Sequence, residues 1–258
     1  MQKLRSAEEI EILRENNLLV SKTLAEIAKM IEPGVTTAAL DKRAEEYIRD
    51  HGAVPGFLGY GGFPNSLCTS VNDAVVHGIP SEYELKEGDI ISIDCGTYKN
   101  GFYGDTAYTF AVGEINEEVQ ELLKATREAL FKGIEKAIAG NRVGDISFAV
   151  QTHAENAGFS VVREMVGHGL GSNMHESPEV PNYGKRGKGP KLKSGMVICI
   201  EPMINMGTRN IKQDSDGWTI RTMDNKPSAH YELALAIKNG EADILSTFEY
   251  IENQLTEN

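Results

Sequence analysis

The 258-residue sequence has little of what several protein classes require. Its three cysteines, Cys68, Cys95 and Cys199, form no CxxC pair, so we expect neither a zinc knuckle nor a disulfide framework. No run of 18 apolar residues is present, and the charged N-terminal stretch lacks the apolar core of a signal peptide. No Pro/Gly/Ser-rich linker divides the chain. These absences predict a cytoplasmic protein that folds around one core and has no membrane contact.

Basic residues are also in the minority. The chain has 26 Lys and Arg against 38 Asp and Glu, a formal net charge of −12. Because affinity for nucleic acid depends largely on basic side chains, this balance argues against a nucleic-acid substrate. The one basic cluster, at residues 185–193, is predicted to be a solvated loop. With 40% apolar and 25% charged residues, the composition is that of an ordinary globular protein.

What the sequence does contain is an internal repeat. Ile27, Lys29, Ile31, Leu85, Gly88, Ile93 and Asp94 recur 107 positions later as Ile134, Lys136, Ile138, Leu192, Gly195, Ile200 and Glu201. This period is too long for a solenoid and indicates a duplicated half-domain. We therefore predict one domain over residues 1–258, with halves at about 7–112 and 114–246. The repeated apolar strand ends in an acid in both copies, at Asp94 and at Glu201, so these two acids should meet where the halves join.

Local patterns predict paired helices and hairpin-like strands. We expect helices at residues 6–30, 36–52, 117–139 and 145–157, the first with a capping box formed by Ser6 and Glu9. The Gly- and aromatic-rich residues 56–68 predict a loop. Strands are predicted at residues 67–71, 90–95, 103–112, 160–166, 197–204, 218–223 and 231–237. This order favours an α+β fold over alternating βαβ units.

Two acids flank a strong hairpin signal. If Asn100-Gly101 is a two-residue turn, residues whose numbers sum to 201 lie opposite each other. Asp94 then faces Ala107 and lies diagonal to Asp105 on the same face. Taken alone, such a pair most often faces solvent. If buried, the two carboxylates repel each other unless a cation lies between them.

Further donors lie at the edges of apolar segments. Glu201 and Glu232 each adjoin an apolar strand, and His168 lies between two glycines that allow close backbone approach. A lone histidine is most often a core residue, but His77 has a similar setting and His175 follows His168 by seven positions. Buried unpaired carboxylates cost several kcal/mol, so four of them imply a metal or extensive pairing. One histidine and four carboxylates, without a thiolate, suit two divalent ions such as Mn, Fe(II) or Co.

The ordered set of these residues resembles that of the methionine aminopeptidases, which are dimetal exopeptidases of the pita-bread fold. The set is His77, Asp94, Asp105, His168, His175, Glu201 and Glu232, with spacings of 17, 11, 63, 7, 26 and 31. The strings around His77, Gly167-His168-Gly169 and Ile200-Glu201-Pro202 agree as well. The resemblance covers about residues 8–246, and the short chain is similar to the bacterial type I form.

The resemblance implies an α+β pita-bread fold, with two pseudo-symmetric helix-helix-strand halves around a central antiparallel sheet. It also implies removal of an N-terminal methionine when the second residue is small, by attack of a water molecule that two divalent ions activate. The expected substrates are N-termini of nascent chains or peptides, with the ribosome as a passing partner and the chain itself a monomer.

The resemblance further implies a role for each site residue. Asp94 would bind one ion with both oxygens, Asp105 and Glu232 would bridge the two ions, and His168 and Glu201 would complete the other. Glu201 would also act as general base, while His175 would donate to the scissile carbonyl oxygen and His77 to the amide nitrogen. The methionine pocket would be formed by Tyr60, Phe63, Cys68, Met174, Met203 and Trp218.

The chain departs from the family pattern beside the last acid. The family usually has Gln-x-Glu-His there, whereas this chain has His230-Tyr231-Glu232-Leu233; Phe57 and Met174 also differ from residues often found in the pocket. If the family's histidine orients the bridging carboxylate, Leu233 predicts weaker metal binding, with His230 as the first candidate for a replacement.

Two other functions remain as alternatives. An Xaa-Pro peptidase has the same fold but typically an added N-terminal domain, for which 258 residues leave no room. A pita-bread binding protein with an inactive site would need lost ligands, and all five metal-ligand residues are present.

Overall fold

The structure is a computed structural model that describes residues 3–257; Met1, Gln2 and Asn258, which the single-domain prediction includes, lie outside this range. The helices are α1 (Ala7–Ala28), α2 (Thr37–Asp50), α3 (Glu117–Ile134), α4 (Val143–Asn156) and α5 (Glu249–Glu257). Within the described range, none of them is long and apolar enough to cross a membrane.

The strands are short apart from one long hairpin. They are β1 (Val54–Pro55), β2 (Leu67–Val71), β3 (Ala74–Val76), β4 (Ile90–Lys99), β5 (Phe102–Ala111), β6 (Ser160–Val161), β7 (Gly167–Gly169), β8 (Glu176–Val180), β9 (Val197–Ile200), β10 (Met203–Asn205), β11 (Ile211–Gln213), β12 (Ile220–Thr222), β13 (Ser228–His230), β14 (Leu233–Ala236) and β15 (Asp243–Ile244). A 3₁₀ turn at Tyr60–Gly62 lies in the segment predicted as a loop. The α+β prediction is confirmed.

Capping fixes where the helices begin. The Ser6 hydroxyl accepts from the Glu9 backbone N–H at 3.2 Å and the Glu9 carboxylate accepts from that of Ser6 at 2.9 Å, which confirms the predicted capping box. α3 ends earlier than predicted, at Ile134. Beyond it the Ala139 N–H donates to the Lys238 carbonyl oxygen instead of to its own helix, so tertiary pairing overrides the helical pattern.

The β4–β5 hairpin has the predicted register. Asn100 and Gly101 both have positive φ, 53° and 84°, as a two-residue hairpin turn of this hand requires. Asp94 is opposite Ala107 and Gly96 is opposite Asp105. The two acids are therefore diagonal neighbours on one face, because side chains of an antiparallel pair alternate between faces with a period of two.

Two sheets meet at the centre of the molecule. In the first, β4 pairs with β1, β2 and β5; the second has the strand order β15-β14-β9-β7-β8. They are joined where the Glu232 N–H donates to the Ala107 carbonyl oxygen at 2.9 Å. Two three-stranded sheets, β13-β10-β6 and β11-β12-β3, flank this centre. The acids on β4 and β5 are thereby brought against those at the ends of β9 and β14.

Two strands predicted from apolar runs are shorter than expected. Residues 197–204 form two strands, because the ladder stops at Glu201 and Pro202, and proline has no N–H to donate. The predicted strand at 160–166 is reduced to Ser160–Val161. The break after Ile200 matters for the site, since it lets Glu201 leave the sheet.

Helix α1 packs directly on the hairpin. The buried Asn17 accepts through Oδ1 from the backbone N–H of Asp105 at 3.0 Å, and Asn16 donates through Nδ2 to the carbonyl oxygens of Lys99 and Phe102. A Cβ on Gly104 would lie 2.7 Å from the backbone carbonyl carbon of Asn16, so only glycine allows this approach. Contact between α1 and β5 thus fixes the backbone that carries Asp105.

The first segment of the chain, up to β5, and the second segment, from α3 onward, have the same order of elements. α1 and α2 precede the β4–β5 hairpin, and α3 and α4 precede β9 and β14. The larger core cluster includes residues from both segments, among them Leu24, Ile27, Leu40, Ile93, Phe110, Leu130, Ile146, Ile198 and Ile200. The division into copies at 7–112 and 114–246 remains a prediction.

The Gly104 contact gives a stability prediction. Gly104→Ala should lower the free energy of unfolding by about 1–3 kcal/mol, because backbone atoms of Asn16 and Asn17 cannot rotate away from the added methyl group. Gly133→Ala in α3 is the matched control, since the three atoms nearest to its Cβ would be side-chain methyls, of Val150, Ile146 and Ile200, and not backbone, and alanine favours the helix. Equal urea midpoints for the two variants would show that α1 can move off β5 without cost.

Candidate active site

The structure brings the predicted donors to one small cavity of about 130 Å³, roughly the room of four water molecules. Five predicted metal ligands and both predicted substrate histidines line it. They are Asp94 on β4, Asp105 on β5, His168 on β7, Glu201 directly after β9, Glu232 directly before β14, His77 directly after β3, and His175 between β7 and β8. Side chains from both chain segments therefore share the site.

His168 is held with its lone pair facing the acids. Its Nδ1 donates to the Gly169 carbonyl oxygen at 3.0 Å, which leaves Nε2 as the unprotonated nitrogen of the neutral ring. Burial, with a smaller contribution from His175, lowers the pKa of His168 to about 3. Nε2 lies 3.4 Å from Glu201 Oε1 and 3.6 Å from Asp105 Oδ2. Such an arrangement requires a proton or a cation between these atoms.

The four carboxylates are too close and too buried to be charged together. Burial raises the pKa of Asp94 to about 7. Burial and the charges of neighbouring carboxylates raise the pKa of Asp105 and of Glu232 well above the usual range. The pKa of Glu201 is raised in the same way, first by burial and then by its acidic neighbours.

These groups fit divalent metal ions. Asp94 Oδ1, Asp105 Oδ1 and Glu232 Oε1 are buried and have no hydrogen-bond partner among the described residues. The cavity lining contains neither Lys nor Arg, so no side chain in it supplies positive charge. Oxygen donors with one imidazole are typical ligands of Mn, Fe(II), Co and Zn.

His77 has a left-handed backbone, with φ of 58°. Its position is fixed by Gly78, whose Cβ would lie 2.2 Å from the Thr69 carbonyl oxygen and whose own carbonyl oxygen accepts from the Thr69 N–H at 2.7 Å. The His-Gly pair therefore fits a place where two strands approach closely. Residues in this strained region are frequent at functional sites.

His175 lies at the mouth of the cavity. Its Nδ1 is 2.9 Å from the Tyr60 hydroxyl, and its ring stands edge-on to that of His168 at a centroid distance of 4.3 Å. Burial lowers its pKa. With Tyr60 donating to Nδ1, the neutral ring carries its proton on Nε2.

The cavity lining also contains aromatic rings. Phe57, Tyr60, Phe63, Cys68 and Trp218 line it, and the rings of Phe63 and Trp218 meet edge to face at 5.2 Å. Four of these residues were predicted for the pocket. Phe57 is an additional member, delivered by the same loop as Tyr60 and Phe63.

Two predictions for the pocket need correction. Met174 is fully buried behind the lining, where its terminal methyl group packs against Gly56 and Gly96. Met203 belongs to a separate apolar cluster with Val75 and Val162. The chain turn at Glu201-Pro202 directs Met203 away from the cavity.

Sequence reasoning missed a thiol in the site. Cys199 is fully buried, and its Sγ and one ligand atom each from Asp105, His168 and Glu232 lie within 4.8 Å of one another. The donor set was predicted to contain no thiol, whereas the structure places this thiol beside three of the predicted ligands. The signal was available, because Cys199 and Glu201 are two positions apart and such residues share a strand face.

The two departures beside Glu232 lie on opposite sides. Leu233 pairs with Ile200 and joins the larger core cluster, away from the cavity. His230 is buried, with Nε2 3.9 Å from Glu201 Oε2 and without a hydrogen-bond partner among the described residues. His230 therefore lies beside Glu201, one of the predicted ligands, whereas Leu233 packs in the core.

A larger cleft exists elsewhere. It measures about 660 Å³ and lies between the start of α4 and residues 177–190. Its lining includes one carboxylate, from Glu179, and no histidine or cysteine. Chemistry, and not size, identifies the smaller cavity as the candidate active site.

Comparisons with known proteins identify the family. The profile of metallopeptidase family M24 matches residues 11–238. The chain is 52% identical over 247 residues to a methionine aminopeptidase of Clostridium acetobutylicum, covering 95% of this chain and 99% of that protein. The crystal structure of a methionine aminopeptidase from Rickettsia prowazekii superimposes with a TM-score of 0.94 at 38% identity, covering 96% and 100% of the two chains.

A more distant match concerns the fold alone. An Xaa-Pro dipeptidase of Bacillus anthracis superimposes with a TM-score of 0.77 at 20% identity, and this chain covers only 62% of it. The pita-bread fold is thus common to both groups, whereas high identity over nearly the full length is found with the aminopeptidases. The chain therefore belongs to metallopeptidase family M24 and, within it, to the methionine aminopeptidases.

Proposed function

We propose that the chain removes the N-terminal methionine from peptides and nascent proteins whose second residue is small. The observation that carries this proposal is one small cavity whose lining combines four carboxylates and a neutral histidine with aromatic rings. The carboxylates and the histidine suit a metal-activated hydrolysis, and the aromatic rings suit an apolar thioether side chain, which packs well against them.

The proposed ligands of two divalent ions are Asp94, Asp105, His168, Glu201 and Glu232, with Mn, Fe(II) or Co as the metal. When bound, such ions lower the pKa of water and stabilise negative charge on the attacked carbonyl oxygen. The partnerless buried oxygens of Asp94, Asp105 and Glu232 support this assignment.

The chain's own groups supply proton transfer and orientation. Glu201 lies at the cavity edge, between His168 and His230, and is the proposed general base that accepts the proton of the attacking water. His175, with Nε2–H free when Tyr60 donates to Nδ1, is the proposed donor to the scissile carbonyl oxygen. His77, fixed by Gly78, is the proposed donor to the amide nitrogen.

The pocket proposal explains the exopeptidase activity. A side chain that enters between Phe57, Phe63 and Trp218 fills a cavity of only about 130 Å³. A free N-terminal residue can be accommodated there, whereas an internal segment would need a second exit for its chain.

The cellular setting is also part of the proposal. We propose that this chain acts in the cytoplasm as a monomer forming one catalytic domain, on N-termini that emerge from the ribosome. Its relationship to the methionine aminopeptidases supports this setting.

A peptide panel tests the function. Met-Ala-Ser should be cleaved after methionine, Met-Lys-Ser far more slowly and Ala-Pro peptides not at all; a chelator should abolish activity, and added Mn²⁺ or Co²⁺ should restore it. Preferred cleavage of Ala-Pro would favour the Xaa-Pro alternative. Metal binding without cleavage of any peptide would favour the inactive binding protein, and efficient cleavage of Met-Lys or of internal bonds would contradict the pocket proposal.

The proposed base gives a second prediction. Glu201→Gln keeps the shape of the side chain but cannot accept a proton, so turnover should fall by at least about 10²-fold. Glu241→Gln, at an exposed position outside the cavity, is the control and should leave turnover unchanged. Near-normal turnover in Glu201→Gln would remove this residue from the mechanism.

The histidines give a third prediction, which separates binding from catalysis. His77→Ala and His175→Ala should lose roughly 10²-fold or more in turnover with near-normal metal content, because a group that only stabilises the transition state holds no ion. His168→Ala should lose metal together with activity. Elemental analysis of the purified variants measures their metal content, and His51→Ala, at an exposed position, is the control. If His77→Ala or His175→Ala lost as much metal as His168→Ala, the assigned roles would be wrong.

A further inference from the structure

The metal side of the cavity contains one group with a different chemistry from the carboxylates. Cys199 lies on β9, two positions before Glu201, and its side chain is fully buried. Its sulfur lies within 4.8 Å of one ligand atom each of Asp105, His168 and Glu232.

The other two cysteines have different surroundings. Cys95 belongs to the larger core cluster, on the strand face opposite the acid Asp94. Cys68 is opposite Asp94 in the β2–β4 register and lines the cavity, but it is not in the four-residue cluster. The placement of Cys199 is therefore specific, and two similar buried thiols are available as controls.

The cluster has unused donor capacity. Asp105 and Glu232 are 3% and 2% exposed, and one oxygen of each has no hydrogen-bond partner among the described residues. Nε2 of His168 carries a free lone pair, because Nδ1 is the donor to Gly169. Two oxygens, one nitrogen and one sulfur thus surround a single space.

This donor set matches one ion of borderline or soft character. Tetrahedral bonds of about 2.0–2.3 Å place neighbouring ligand atoms roughly 3.3–3.7 Å apart, so ligand atoms that lie up to 4.8 Å apart need to approach one another by as much as about 1.1–1.5 Å. Thiolate sulfur favours Zn and softer ions over Mn, which prefers oxygen.

We propose that Asp105, His168, Cys199 and Glu232 form a second binding mode of the metal centre, in which the Cys199 thiolate holds one soft or borderline divalent ion such as Cd²⁺ or Zn²⁺. In this step the S–H bond breaks, a sulfur–metal bond forms and the proton passes to solvent. The mode uses Asp105, His168 and Glu232, which the proposed function assigns to the catalytic ions. Soft ions therefore compete with Mn²⁺ for the site. The inference depends on the metal-binding part of the proposed function and not on its peptidase part.

The test titrates Cd²⁺ into metal-free protein and follows the ultraviolet charge-transfer absorption of a cadmium–thiolate bond. The proteins are the wild type, Cys199→Ser, Cys199→Ala, Cys68→Ser and Cys95→Ser. Mn²⁺ affinity is measured in parallel by calorimetry, and circular dichroism checks that each variant is folded. Using serine and alanine at position 199 keeps the test valid if one variant does not fold.

We expect the absorption to saturate at one Cd²⁺ in the wild type, Cys68→Ser and Cys95→Ser, and to be absent when Cys199 is replaced. Cd²⁺ affinity should fall by about tenfold or more in the Cys199 variants, while Mn²⁺ affinity changes by less than about threefold, because Mn²⁺ gains little from sulfur. Cd²⁺ should also displace Mn²⁺ from the wild type.

Three results would overturn the inference. If Cd²⁺ binds without the absorption, no sulfur is a ligand. If the absorption is lost only in Cys68→Ser, the sulfur ligand is Cys68 and not Cys199. Equal losses of Cd²⁺ and Mn²⁺ affinity in the Cys199 variants indicate a structural role for the thiol. If the wild type still binds Mn²⁺ in these cases, the proposed function stands although the inference is wrong. If the wild type binds neither Cd²⁺ nor Mn²⁺, both proposals are wrong.

Discussion

The burial of four carboxyl groups around one neutral imidazole is the constraint on which the site depends. Each buried charge costs several kcal/mol, and the cavity lining has no Lys or Arg to offset it. Positive charge must then come from bound protons or bound cations. The raised pKa of Asp94 and the lowered pKa of His168 both result from this burial. Protons and metal ions therefore compete for the same oxygens, and the metal-free site is a protonated one.

Mutual repulsion would spread these acids apart if their backbones could move. The structure prevents this with contacts between backbones, at which a side chain would not fit. α1 lies against Gly104 next to Asp105, and the strand carrying Thr69 lies against Gly78 next to His77. The Glu232 N–H then ties one sheet to the other through Ala107. Glycines in the sequence thus mark where the scaffold holds functional groups in place.

Local rules predicted much of this arrangement. The Asn100-Gly101 turn fixes its own register, so the diagonal of Asp94 and Asp105 followed from the sequence, and the ordered donors indicated the family. What failed depended on long-range packing. The family resemblance implies Met203 as a pocket residue, whereas in the structure Pro202 interrupts the ladder and Met203 packs in another cluster. The joining of the two sheets at Glu232 has no signal in the sequence.

The positions beside the last acid show how strand alternation separates stability from chemistry. Leu233 packs in the core with Ile200, so a substitution at position 233 alters packing. His230 and Cys199 lie beside the acids, so a substitution at either position alters the donor atoms around a bound ion. The lack of a CxxC pair argued against a thiol ligand, but Cys199 reaches the acids through the fold and needs no second cysteine. Because soft and hard donors favour different ions, the side chains on this face determine metal preference on an unchanged fold.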